Sequence, residues 1–170
     1  MGYTTKFEGR FVLNRPLTPE HAAYLKAFSE TRRMKRFMNA EALPDPVRIA
    51  AKLPLGGVDA AYFVGGSGLS GQNRDESVRD YNSPPGGQPG LWCRWSPTED
   101  GCAIVWNGRE KFYDYVKWLR YLIGHFLTRW GYVLNGVVRW EGEAGEDRGD
   151  IVVVDNDVRT TSIPVADTDL

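Results

Sequence analysis

Leu91-Trp92-Cys93-Arg94-Trp95-Ser96-Pro97-Thr98-Glu99-Asp100-Gly101-Cys102-Ala103-Ile104-Val105-Trp106 is the stretch that decides the fold class. Leu91, Cys93 and Trp95 fall at every second position, and so do Cys102, Ile104 and Trp106. A period of two belongs to strands, whose successive side chains point to opposite faces. Thr98-Glu99-Asp100-Gly101 between the two runs is turn chemistry, with a glycine able to take positive φ. The stretch predicts a β-hairpin.

Downstream the period changes. Phe112, Tyr115, Val116, Leu119, Leu122, Ile123, Phe126 and Trp130 follow helical spacing. Gly131 stands where a left-handed C-cap belongs. Residues 132–141 then read as a strand, with Leu134, Val138 and Trp140 on one face. An acidic turn over 143–150 leads to a second strand, 151–154. Asp155-Asn156-Asp157 turns into a last short strand, and the tail at about 163–170 is expected to be mobile.

Upstream, Phe7, Phe11 and Leu13 share one face of a strand over 5–13. Thr18 caps a helix, with Pro19 at its first position, where a missing N–H is no loss. Ala22, Leu25, Ala27 and Phe28 give this helix a modest apolar stripe. The basic run Arg32-Arg33-Met34-Lys35-Arg36 complements the negative end of its dipole.

The element order is strand, helix, long insert, strand, strand, helix, strand, plus one or two further strands. That order predicts an α+β two-layer sandwich of ferredoxin-like, split-βαβ type, with an antiparallel sheet and two main helices. A different strand order in an α+β sheet is the competing reading. Residues 1–170 fit a single domain. Its insert, about 38–90, is punctuated by Pro44, Pro46 and Pro54, with a short helix over 46–52 and a short strand over 61–64. Residues 65–90 are rich in Gly, Ser, Asn and Pro. Structureless loops this long are uncommon in compact domains and usually carry function or are disordered.

Composition narrows the classes. Formal net charge is −1, but the first 60 residues carry 10 basic against 6 acidic side chains, and the last 30 carry 2 against 9. Such an acidic end argues against generic coating of nucleic acid. The longest apolar run, 121–127, is interrupted by His125 and falls short of the roughly 18–20 residues that span a bilayer. There is no signal-peptide pattern, and Lys6 stands where a myristoylation motif wants Ser or Thr. The expectation is a cytoplasmic protein with no membrane association. Two cysteines, Cys93 and Cys102, are too few for a disulfide framework, so free thiols are expected.

Several motifs invite a function. Gly66-Ser67-Gly68-Leu69-Ser70-Gly71 matches G-x-G-x-x-G, but the dinucleotide fingerprint needs a long helix next, and Pro84-Pro85 ends a short polar stretch instead. Neither Ser67 nor Ser70 fits the G-x-S-x-G elbow. No Cys/His group has zinc spacing, and the acidic cluster from Glu141 to Asp150 lacks EF-hand order. No metal and no cofactor are expected. His125 could act as a general base with Asp75 or Asp80, although a packed histidine is the simpler account. Arg32, Arg33 and Arg36, with Arg74 and Arg79, could form an anion-binding patch. Tyr62, Tyr81 and Trp92 could supply stacking surfaces beside it. Helix-end charges and exposed loop arginines are the plain alternative.

The segments Gln88-Pro89-Gly90-Leu91-Trp92-Cys93, Glu110-Lys111-Phe112-Tyr113 and Trp130-Gly131-Tyr132-Val133-Leu134-Asn135-Gly136 resemble a single-domain family of bacterial and phage proteins with no assigned activity. The resemblance covers most of the chain. It implies a phage-borne or mobile-element protein and carries over no catalytic residue. The functional expectation is a non-enzymatic protein that contacts a protein partner through loop 65–90. The alternatives are nucleotide or nucleic-acid binding at the basic and aromatic patch, or a small enzyme using His125 with a loop aspartate.

Overall fold

A computed structural model describes residues 2–65 and 74–162 of the chain. In chain order the elements are β1 (Thr5–Leu13), α1 (Pro19–Ser29), β2 (Lys35–Arg36), α2 (Pro46–Ala50), β3 (Val78–Asp80), β4 (Trp95–Pro97), β5 (Ala103–Trp106), α3 (Tyr115–Leu122), β6 (Leu134–Gly142), β7 (Arg148–Val154) and β8 (Asp157–Ser162). The fold is mixed α+β. The chain forms two compact units: a sheet unit from Met1–Pro16 and Arg94–Leu170, and a loop-rich unit from Leu17–Cys93. The expected insert lies inside the second unit, which also takes in α1.

The sheet unit is built on an open, antiparallel six-stranded sheet of order β4-β5-β1-β6-β7-β8. Alternation along β1 buries Phe7, Phe11 and Leu13 and exposes Lys6, Glu8, Arg10 and Val12. β6 does the same with Leu134 and Val138 against Asn135, Val137, Arg139 and Glu141. The buried face is strongly aromatic. Phe7 lies 5.4 Å from Trp95, 5.7 Å from Phe112 and 5.0 Å from Tyr115, centroid to centroid. α3 touches both β4 and β8. It buries Trp118, Leu119 and Leu122. A π-helical turn, Ile123–Leu127, extends it, and Gly131 closes the run at φ 83°. The glycine sits at the position that the spacing marked as a C-cap.

The open face of the sheet is polar. Across β1 and β6, Lys6 faces Glu141 and Glu8 faces Arg139. Arg139 also reaches Asp150 of β7 at 3.3 Å. Opposite charges on directly facing residues stabilise an antiparallel pair. Gly9 and Gly136 allow β1 and β6 to come close. Gly136 has φ 148°, and a Cβ there would sit 2.6 Å from the Arg10 carbonyl.

The loop-rich unit has little regular structure. Thr18 caps α1 by accepting from the His21 N–H at 3.2 Å. α1 stops at Ser29, where the Thr31 hydroxyl donates to the Ala27 carbonyl at 2.7 Å. The basic run therefore follows the helix, and part of it enters β2. The expected strand over 61–64 is instead a set of turns. The Tyr62 N–H bonds Leu55 O at 2.9 Å and the Ala61 N–H bonds Gly56 O at 2.7 Å. Gly56 and Gly57 take positive φ to allow this. Leu91–Cys93 is likewise not strand; the Leu91 carbonyl accepts from the Arg33 N–H at 2.8 Å. The hairpin survives as the shorter β4–β5 pair, with Trp95 opposite Trp106. Cys93 and Cys102 are not joined in a disulfide. Among the described residues no helix is long and apolar enough to cross a membrane. The expected mobile tail, 163–170, lies outside the described residues.

Gly136→Ala forces both a strained φ and a backbone clash, so it should cost about 2 kcal/mol or more in chemical denaturation. Gly145→Ala meets nothing within 4 Å. It should be neutral to within about 0.5 kcal/mol.

Candidate functional site

Irregular chain leaves carbonyl groups without ladder partners, and each needs a donor. The loop-rich unit supplies donors from buried arginines. Arg33 is 2% exposed. Its Nη1 donates to Phe63 O at 2.9 Å, its Nη2 to Ala61 O at 2.6 Å and its Nε to Gln88 Oε1 at 3.2 Å. Gln88 in turn donates to Ala61 O at 2.7 Å. The guanidinium lies 4.1 Å from the Phe28 ring centroid. Two carbonyls, an amide oxygen and a ring surround the guanidinium.

Arg36, also 2% exposed, serves a second junction. It pairs with Asp75 at 3.1 Å, donates to Ser77 Oγ at 2.7 Å and covers the Phe63 ring at 4.3 Å. Burial alone would raise the Asp75 carboxyl. The Ser77 hydroxyl and N–H, and then Arg36, outweigh it and hold Asp75 below the ordinary carboxylate range. Arg48 serves a third junction, bonding Asp45 at 2.5 Å and Leu53 O at 2.8 Å. Asp45 accepts from the N–H groups of Val64 and Gly65. Burial lifts its carboxyl above the ordinary value, against Arg48 and those two donors.

The outward-facing part of the same segment is different. Tyr81, half-buried, carries two guanidinium groups over its ring: Arg32 at 4.0 Å and Arg74 at 4.5 Å from the centroid. The two guanidinium carbons are thus no further apart than the sum of those distances. Arg32 is fixed by bonds to Tyr81 O and Asn82 Oδ1, both 3.1 Å. Arg74 is exposed and makes no hydrogen bond to another described residue. Neither arginine has a carboxylate within 4.0 Å among the described residues. Lys35 stands across the β2–β3 ladder from Asp80. The Ser83 hydroxyl, then the Asn82 N–H, hold the Asp80 carboxyl below its ordinary value.

Of the residues singled out in the sequence, Arg32, Arg74 and Tyr81 come together. Arg33 and Arg36 are interior, with their guanidinium groups committed to the chain itself. Arg79 pairs with Asp59, which also accepts from the Gly86 N–H. Tyr62 is half-buried and its carbonyl accepts from the Tyr24 hydroxyl at 2.8 Å. Trp92 is half-buried. His125 belongs to the sheet unit, where it stacks on Tyr121 at 3.9 Å. Burial, and then Arg129, lower its pKa and so favour the neutral imidazole. Asp75 and Asp80 belong to the loop-rich unit. The Gly66–Gly71 motif falls outside the described residues. Sequence reasoning did not find Asp45, Arg48, Ser77 or Gln88. Asp45 and Arg48 could have been found from their i,i+3 spacing; Gln88 carries no local signal.

The sheet unit offers one further surface, its open face. A hollow of about 510 Å³ on its open face is lined by Lys6, Glu8, Arg139, Glu141 and Glu143. Its charges of both signs match the cross-strand pairing already described. The open face of β1 and β6 holds no aromatic side chain, so it gives nucleobases nothing to stack on. Among the described residues no three His, Cys, Asp or Glu side chains gather as metal ligands. No family model matches the chain, and no curated protein or solved structure matches it.

Arg33→Lys keeps the charge but loses the fork that reaches three acceptors, so it should destabilise by about 3 kcal/mol. Limited proteolysis of the loop-rich unit should show it as faster cleavage. The Asp75 pKa is depressed, so its contribution is present above the ordinary carboxyl range near pH 4. It is lost as pH falls through the folded value. Asp75→Asn should therefore be less stable at pH 7 and show a shallower loss of stability below about pH 4 in acid titration.

Proposed function

We propose that this chain is a non-enzymatic binding protein whose contact surface is residues 74–90 with Arg32, and whose ligand is an acidic segment of a partner protein. One observation carries the reading: two guanidinium groups share the Tyr81 ring and have no carboxylate partner among the described residues. Arg33, Arg36, Arg48 and Arg79 in the same unit are all satisfied internally. Arginine and tyrosine dominate binding hot spots, and heads already held against a ring lose less freedom on binding. The groups considered for acid–base chemistry are engaged elsewhere, which favours binding over catalysis. A ring carrying two guanidinium groups leaves little room for a nucleobase, which favours a peptide over a nucleotide. We read the strands β4-β5-β1-β6 as a ferredoxin-like core extended by β7 and β8. Their order, second-third-first-fourth in the chain, is that of a split βαβ unit. A phage or mobile-element setting and a cytoplasmic location belong to the same proposal.

Fluorescence anisotropy with labelled acidic, neutral and basic peptides tests the idea on the full chain. Acidic peptides should bind about tenfold tighter than neutral ones, and Arg32→Ala with Arg74→Ala should erase the difference. An unchanged preference in the double variant would sink the assignment.

A further inference from the structure

We propose that the Arg32–Tyr81–Arg74 site takes a phosphate monoester dianion. This rests on reading the stack as a contact surface and names the chemistry it selects.

The argument is one of matching donors and charge. A guanidinium has five N–H donors. Arg32 spends one on Tyr81 O and one on Asn82 Oδ1, which leaves three. Arg74 spends none on another described residue. A carboxylate has one bidentate edge and one negative charge, which satisfy a single guanidinium. A phosphate monoester brings three acceptor oxygens and a charge of about −1.5 to −2 at pH 7, so it can bridge two. Both heads sit within 4.5 Å of one ring centroid. The Tyr81 ring holds them in place before the ligand arrives. Asp59 is taken by Arg79, Asp75 by Arg36 and Ser77, and Asp80 by Ser83 and Asn82.

The dianion could come from a phosphorylated side chain of a partner or from a free small phosphate ester. The experiment separates these. Isothermal titration of the full chain would use one peptide in three forms, with phosphoserine, glutamate or serine at its centre, alongside phenyl phosphate and adenosine monophosphate. At pH 7.5 the phosphoserine form should bind about tenfold tighter than the glutamate form. Its affinity should fall severalfold at pH 5, where the ester becomes a monoanion. A peptide carrying a sulfate ester, monoanionic throughout, should show no such fall. Arg74→Gln and Arg32→Gln should each weaken phosphopeptide binding about tenfold. Arg74→Gln should leave the melting temperature unchanged, because Arg74 supports nothing else among the described residues. Equal affinity for the phosphoserine and glutamate forms would overturn the phosphate inference and leave the acidic-partner reading standing. Adenosine monophosphate or phenyl phosphate binding as tightly as the phosphopeptide would keep the phosphate site and remove the protein partner. Indifference to both arginine substitutions would overturn both.

Discussion

The Arg33 guanidinium joins three stretches of chain that no strand ladder links to one another. It binds the carbonyls of Ala61 and Phe63 and the side chain of Gln88, and it rests on Phe28 of α1. Taking a cation out of water costs several kcal/mol, so it is favourable only when its donors are all well placed. Here they are placed on groups that would themselves be costly to leave unbonded. The loop-rich unit has few strand residues and two short ladder partners, β2 and β3. Its apolar cluster around Ala40, Leu55, Ala60 and Phe63 is small. Buried arginine takes over part of the work that a sheet does in the other unit.

The basic run is divided between two environments. Arg33 and Arg36 turn inward and bond carbonyls, Asp75 and Ser77. Arg32 turns outward to Tyr81, and Lys35 lies partly exposed beside Asp80. The inward pair fixes the backbone that carries the outward pair. A binding surface made of mobile loop arginines would lose much of its affinity to ordering. Anchoring the segment from inside reduces that cost.

The frame of the sheet unit was legible because its pattern is local and periodic. Phe7, Phe11 and Leu13 announce β1, and Leu119, Leu122 and Phe126 announce the long helix. Residues 61–64 misled, since Ala-Tyr-Phe-Val has strand composition. The outcome was set by Gly56 and Gly57, whose positive φ turns the chain back on Leu55. Residues 91–93 alternate, yet the Leu91 carbonyl is used by Arg33. In the candidate site the residue types were legible, but not their division into interior and surface. A guanidinium chooses its acceptors across 28 to 55 positions of sequence, and such contacts leave no period to read.

The sheet unit is assembled from two separated pieces of sequence, with Leu17–Cys93 lying between them. β1 pairs with β5 and β6, so Phe11 waits for Ile104 and Gly136. On a ribosome adding about 5–20 residues per second, that wait lasts several seconds at least. Until then the β1 segment lacks both of its strand partners. Lys6, Glu8 and Arg10 alternate with its aromatic residues. Charges in that position discourage nascent chains from zipping to one another. Their first service is thus rendered during synthesis, before any sheet exists for them to decorate.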